Sequence, residues 1–224
     1  MRGLAQVGSS TLADGNLKLN GAVFRTDIDD MQFFEFFVGP FGLLRVVENI
    51  DEATIDGFEL GAEWQISDTL SLIAGYSAVD GEIEKNTIRP YTVGNEIPNA
   101  ADFTANAAIQ YVGDIGAMEL SARFEYSYQG DTWYHTVQNN AVPATLFKGY
   151  GAGDGDWSKT QVDGYGIANL RIGLASENWK ITAFARNLFD EEYIAEVIGA
   201  DSVAVTHDTK NILIESAYFT PESI

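Results

Sequence analysis

The chain has 224 residues, and its 33 Asp plus Glu against 13 Lys plus Arg give a formal charge of −20, which repels nucleic acid and excludes it as a partner. Cysteine is absent, so no disulfide framework or thiolate metal site is available. The longest nearly apolar run, Phe36 to Leu44, falls far short of the roughly 20 residues a spanning helix needs, so any membrane crossing has to be made by strands.

The opening MRGLAQVGSS lacks the apolar core of an export signal, and the natural N-terminus is expected to lie upstream. After turn residues at Asp14, Gly15 and Asn16, a first strand alternates Leu17, Leu19, Gly21 and Val23 with Lys18, Asn20, Ala22 and Phe24. Residues 28 to 55 read as a long connection with extended edges, holding an aromatic cluster (Phe33, Phe34, Phe36, Phe37, Phe41) and a break at Gly39 and Pro40. Phe58, Leu60, Ala62, Trp64 and Ile66 then alternate with Glu59, Gly61, Glu63 and Gln65, the cleanest period of two in the chain. Ser67, Asp68 and Thr69 turn into a third strand at Leu70, Leu72, Ala74, Tyr76 and Ala78. A polar connection over 80 to 102 contains Pro90 and Pro98.

The fourth strand places Phe103, Ala105, Ala107, Ile109 and Tyr111 against Thr104, Asn106, Ala108 and Gln110. The short VGDIGA connection leads into a fifth, where Met118, Leu120, Ala122, Phe124, Tyr126 and Tyr128 oppose Glu119, Ser121, Arg123, Glu125, Ser127 and Gln129. The longest loop covers 130 to 162. A hairpin follows, in which Ala168, Leu170, Ile172 and Leu174 turn through Ser176, Glu177 and Asn178 into Trp179, Ile181, Ala183 and Ala185. Its polar phases hold Asn169, Arg171, Lys180 and Arg186, and Phe184 falls in the same phase. A further connection over 187 to 208 precedes a last strand, Asn211 to Phe219, for a total of eight.

Connections therefore alternate between short (67 to 69, 112 to 117, 176 to 178) and long (28 to 55, 80 to 102, 130 to 162, 187 to 208), the arrangement of barrels with short periplasmic turns and long outer loops. Glu59, Glu63, Glu119, Arg123, Glu125, Arg171, Lys180 and Arg186 all fall in the polar phase of their strands. A Lys or Arg facing lipid near the midplane costs roughly 2 to 4 kcal/mol, so a lipid-facing wall requires this segregation. The fold predicted is all-β, an antiparallel up-and-down transmembrane β-barrel, with the charged phase facing the lumen. Trp64, Tyr111 and Trp179 beside the short turns, and Tyr76, Tyr126, Tyr128, Trp133 and Tyr134 toward the long loops, are placed as two membrane-interface belts. Aromatics at strand ends are also simply good strand residues with a wettable edge. A soluble sandwich alternates too, but its core-facing phase is usually larger than one rich in Ala62, Ala74, Ala105, Ala107 and Ala183.

The run ITAFARNLFDEEY, Ile181 to Tyr193, resembles the C-terminal motif of TonB-dependent outer-membrane receptors, with Asn187, Leu188, Phe189 and Asp190 followed by Tyr193. Val47 to Ser77, Gly94 to Asn99 leading into Phe103, and Glu125 to Asp131 resemble further strands of that family in order, so the likeness covers nearly the whole chain. The resemblance implies a 22-stranded barrel closed by a globular plug, importing a scarce nutrient (siderophore-iron, a vitamin or a carbohydrate) with energy passed through TonB. It implies the bacterial outer membrane as location, with lipid, lipopolysaccharide, the plug, the TonB complex and a small nutrient ligand as partners. No counterpart of the plug, the TonB box or the first two thirds of the barrel is present, so this chain is expected to be the C-terminal portion. Members usually end on an aromatic strand residue, whereas here TPESI follows Phe219. Arg123, Arg171 and Arg186 would face the plug. The alternatives are a self-contained eight-stranded membrane barrel with a structural or adhesive role, and a soluble β-sandwich binding module.

No residue pattern supports an enzyme, a cofactor or a metal site. His135 and His207 lie in different loops, and Tyr134 and His135 read as solvated. Asp154 and Asp156 lack the further ligands of a calcium loop, and adjacent Glu191 and Glu192 point apart in extended chain. With their flanking residues (27 to 56, 80 to 102, 131 to 163, 190 to 208) the long connections carry 23 of the 33 acidic residues. That rim either bridges lipopolysaccharide phosphates through divalent cations and attracts cationic ligands, or simply keeps the loops soluble. The Phe33 to Phe41 cluster either grips an apolar ligand or packs the loop ends of the first strands.

Overall fold

Strict alternation over nine or more residues gives each strand two unlike faces, and the computed structural model realises it as one long antiparallel meander. It describes residues 1–39, 42–139, 157–197, 204–207 and 211–219. The strands are β1 (Arg2–Leu12), β2 (Leu17–Gly39), β3 (Gly42–Gln65), β4 (Leu70–Lys85), β5 (Phe103–Ile115), β6 (Met118–Gln129), β7 (Thr132–Trp133), β8 (Gln161–Val162), β9 (Tyr165–Ser176), β10 (Trp179–Arg186), β11 (Tyr193–Val197), β12 (Ala204–His207) and β13 (Asn211–Phe219). Nine of them form a single sheet in the order β1-β2-β3-β4-β5-β6-β9-β10-β13, while β7 pairs β8 and β11 pairs β12 in two small ribbons. The sheet is open: β1 and β13 are its two edges. Among the described residues no helix is long and apolar enough to cross a membrane.

Several stretches differ from the sequence reading, among them 80 to 85, which continue β4, and the 130 to 162 loop, in which β7 and β8 pair. Residues 2–12, which show no sustained alternation, form β1 by pairing throughout with Leu17–Asp27 of β2. The expected long connection over 28 to 55 is instead strand: β2 and β3 stay in register from Leu17↔Trp64 out to Gly39↔Gly42. Mixed sequences become strand here because each backbone donor finds a partner across the hairpin, whatever the side-chain period. Within the 187 to 208 connection the β11–β12 ribbon appears. Phe34, Phe36, Phe37 and Phe41 have side chains outside the described residues, as do Asp154 and Asp156 altogether.

Short turns explain the tight returns. Ile115 pairs Met118, leaving only Gly116 and Ala117 in the loop, and Gly116 takes φ +65°, which its lack of a Cβ permits at no cost.

The buried cluster lies beyond the aromatic ends of the strands. Ile50, Ala53, Ile83 and Ile97 are sealed, with Met31, Phe33 and Ile55 against them. Ala53 and Ile83 share a register pair and lie in phase with Glu59 and Ser77 further along, so the charged face turns apolar at its loop end. There the loop residue Ile97 lies over Gly81, with side-chain carbons 3.2 to 3.4 Å from where a Cβ would stand. The opposite phase turns charged at the same level: Arg25 meets Asp56 at 2.8 Å and Asp27 at 3.2 Å, and Thr54 donates to Glu84 at 3.0 Å. Face polarity thus inverts along β2 to β4.

Candidate functional site

Cross-strand register decides which side chains share a face, because directly paired residues point the same way. One rung runs Leu17, Trp64, Leu72, Ile109, Phe124, Leu170, Ala185, and the next Leu19, Ala62, Ala74, Ala107, Tyr126, Ala168. On the other face, Lys18, Glu63, Ile73, Ala108, Glu125 and Asn169 form one rung, and Gln65, Ser71, Gln110, Arg123, Arg171 and Phe184 the next. Two-residue spacing puts Glu59, Glu119 and Arg186 on this charged face as well. Among the described residues no second sheet covers the apolar face: Leu60, Ile109, Ile172 and Ile181 remain 56, 43, 44 and 45% exposed. A sandwich core would bury them.

The apolar face is bounded. Phe58, Tyr76, Phe103 and Tyr128 zigzag across four strands with ring centroids 5.7, 5.7 and 5.5 Å apart. Trp64, Tyr111 and Trp179 stand at the turn end. From Leu70 to Ala78 is nine residues, about 26 Å of strand and about 20 Å of height at the roughly 40° tilt of barrel strands, close to the ~25 Å band of known barrels. Tyr126 lies over Gly166, where a Cβ would overlap its hydroxyl, so glycine at that position makes the ring's seat. Trp133 and Tyr134 are not part of either row; they belong to the loops described below, where Trp133 is buried.

The charged face holds a cleft of about 270 Å³ lined by Arg123, Glu125, Asn169, Arg171, Phe184 and Arg186 among others. Arg123 Nε meets Glu125 Oε2 at 3.1 Å and its Nη1 donates to Gln110 at 3.2 Å. Asn169 donates to Glu125 at 3.3 Å and accepts the Asn187 amide at 3.1 Å. Arg171 and Arg186 lie 6.0 and 5.4 Å from the centre of the Phe184 ring.

Asn187, Leu188, Phe189 and Asp190 are a turn. Asn187 is buried with φ +49°, a left-handed conformation that asparagine tolerates better than most residues. Its side chain spans the loop, donating to the Glu191 carbonyl at 2.9 Å and accepting the Glu191 amide at 2.9 Å. The Leu188 amide donates to the Ala168 carbonyl at 2.7 Å, tying the turn to β9. Tyr193 then stacks on Tyr165 at 4.1 Å and 9°, while Phe189 stays 68% exposed.

Beyond the sheet, residues 86–102, 131–139 and 157–162 fold together. Asn95 donates to the Thr136 carbonyl at 2.8 Å, and Gln138 bridges Glu96 by accepting its amide at 3.2 Å and donating to its carbonyl at 2.9 Å. The Tyr134 amide donates to Thr160 at 2.8 Å. His135, expected in solvent, is instead 3% exposed: its ring is 4.4 Å from Trp157 and its Nδ1 accepts the Val137 amide at 3.0 Å. Burial, aided by the Arg89 charge, pushes its pKa down to about 3, so the imidazole is neutral. Burial likewise lowers Arg89 to about 10, and raises Glu96 with Asp102 beside it.

The TonB dependent receptor-like β-barrel family matches residues 5–188. This chain belongs to that family. A probable TonB-dependent siderophore receptor, PiuA of Acinetobacter baumannii, is 33% identical over 95 residues, 38% of this chain and 12% of that protein. The crystal structure of the A. baumannii siderophore receptor PiuA superposes with a TM-score of 0.64 at 20% identity, covering 93% of this chain and 27% of that one. The ferric yersiniabactin uptake receptor FyuA of Yersinia pestis does so at 0.68 and 18%, covering 94% and 28%. This chain therefore spans little more than a quarter of those two receptors' lengths.

Within this receptor-barrel chain the sequence marked both faces but missed the loop assembly. Arg89, Thr92, His135, Thr136, Gln138 and Thr160 sit in polar stretches without periodicity, so nothing local announced that they are buried. Phe58 and Phe103, read only as strand residues, complete the aromatic zigzag. The one available signal for them was their position at the loop ends of their strands.

Proposed function

We propose that this chain is the C-terminal portion of the barrel of an outer-membrane receptor that takes up an iron–siderophore complex with TonB-supplied energy. The carrying observation is the bounded apolar face of a family member, with every charge between the two aromatic rows on the opposite side. Lipid meets the face bearing Leu120 and Ile172, the two aromatic rows lie at its interfaces, and Glu59, Glu63, Glu119, Arg123, Arg171 and Arg186 face a lumen filled by the plug. Siderophore-iron is favoured over vitamin or carbohydrate because PiuA, similar in both sequence and structure, is named a siderophore receptor. The family is one of transport receptors, which fits a protein without enzymatic chemistry.

The test has two parts. Spin labels at Leu120 and Ile172 of the reconstituted full-length receptor should report hydrocarbon; bulk water or tight tertiary contact there would overturn the membrane assignment. Deleting the gene should abolish uptake of radioactive iron supplied as siderophore complexes, and loss of TonB should do the same. Unchanged uptake across catecholate, hydroxamate and mixed-ligand siderophores would refute the substrate class.

A further inference from the structure

A loop that gates a passage has few buried contacts and water-exposed backbone bonds, because its opening has to cost little. Residues 86–102, 131–139 and 157–162 have the reverse character. The first segment lies along the stretch of β4 edge that β5 leaves uncovered: the Gly94 amide donates to Ile83, that of Ile83 to Asn95 and that of Ile97 to Gly81, each at 2.9 Å. The second segment is fastened to the first, since the Asn99 amide donates to Trp133 at 2.7 Å and the side chains of Asn95 and Gln138 reach the backbone of Thr136 and Glu96. The third closes on the second through the Thr132↔Val162 pair, the Tyr134 amide on Thr160 and the Trp157 ring against His135. Ile83, Thr92, Val137 and Thr160, drawn from β4 and from all three segments, are 0% exposed.

Three consecutive residues of the second segment are gripped from both sides. Asn95 holds Thr136 and Glu96 holds Gln138 from the first segment, while the Thr160 hydroxyl donates to the Val137 carbonyl at 3.4 Å from the third. No one segment can leave without breaking bonds to another. Their position follows from phase: Ala53 and Ile83, sealed with Ile97 of the first segment, share the phase of Glu59 and Ser77 further along the same strands. The assembly therefore stands on the charged-face side, beyond the aromatic row.

We propose that these three segments form one fixed wall inside the outer mouth of the barrel, which keeps its contacts throughout transport, so that substrate passes beside it. This rests on reading the chain as part of an uptake barrel, while the cohesion of the wall is measurable without that reading.

Glu82 and Glu96 face each other in an isolated antiparallel bridge flanked by the Ile83 and Ile97 amide bonds. Pairs of that kind hold their Cα atoms about 4.5 Å apart, within disulfide reach. These 224 residues contain no cysteine, so Glu82→Cys/Glu96→Cys in the full-length receptor adds one bridge that fixes the first segment to β4. Cells carrying this variant, before and after dithiothreitol, should take up iron-55 supplied as catecholate, hydroxamate and mixed-ligand siderophore complexes at rates within about threefold of each other. A larger deficit before reduction shows that the segment has to move and overturns the proposal, as does failure of the bridge to form. In vesicles, hydrogen exchange follows the Ile97 and Tyr134 amides, whose acceptors Gly81 and Thr160 are untouched in Gln138→Ala. A single body gives both amides more than about 100-fold protection in the wild type and accelerates them together in the variant. Lower protection, or any response other than joint acceleration, overturns the proposal. If the wild type imports none of the complexes, the uptake reading fails, and the exchange result alone decides whether the wall exists.

Discussion

Replacing Asn187 tests whether the turn after β10 is held by one side chain. The amide makes two hydrogen bonds to Glu191, each worth about 1 kcal/mol net, and the residue sits at φ +49°. Alanine there loses both bonds and pays about 1 kcal/mol for the left-handed backbone, so Asn187→Ala should cost about 3 kcal/mol locally. Glycine keeps the backbone without strain and loses only the bonds, so Asn187→Gly should cost about 2 kcal/mol. The reporter is the Leu188 amide, which donates to Ala168 and is opened by any loosening of the turn. Hydrogen exchange of the full-length receptor in vesicles should show that amide accelerated about 100-fold in the alanine variant and about 30-fold in the glycine variant, since about 1.4 kcal/mol is tenfold. If Leu188 exchanges less than about threefold faster in Asn187→Ala, corresponding to under 1 kcal/mol, the side chain does not hold the turn.

Further outcomes follow from the two faces and the loop assembly. Ile109→Arg on the apolar face should destabilise the receptor by about 2 to 4 kcal/mol in urea unfolding from vesicles, while Ser127→Arg on the charged face should stay within about 0.5 kcal/mol; equal costs would deny the faces different surroundings. His135 has its pKa lowered from 6.5 to about 3, so the folded loops bind fewer protons than the opened ones in that window. Loop stability should therefore fall as pH drops below about 6.5 and level off only near 3, read as lost exchange protection of the Val137 amide. His135→Asn keeps an acceptor for the amide two residues on and should flatten that contribution; an unchanged profile would implicate other groups. Gly166→Ala should displace the Tyr126 ring, lowering the unfolding temperature and shifting tyrosine fluorescence, whereas Gly8→Ala, with open space around it, should do neither.

Much of the sheet was legible because a strand with unlike neighbours on its two sides writes a period of two into its residues. Glu59 to Gln65 and Met118 to Gln129 could be assigned faces from the sequence, and the register added only which rungs align. The NLFD run was recognisable as a pattern, but its meaning was not: that Asn187 closes a turn through Glu191 depends on a φ no composition reveals. The loops were read as solvated because polar, aperiodic segments usually are. His135 and Arg89 are buried by packing among three segments whose meeting is a property of the folded chain.

What the amino-acid order settled alone was the alternation and, between the aromatic rows, the exclusion of charge from one side, since each is a local constraint of a two-faced strand. Tertiary structure decided the rest: that 2–12 is a strand, that β2 and β3 continue past the aromatic row, and that polarity inverts there. These depend on hydrogen-bond partners and covering loops contributed from elsewhere in the chain, and no window of sequence contains both sides of such a contact.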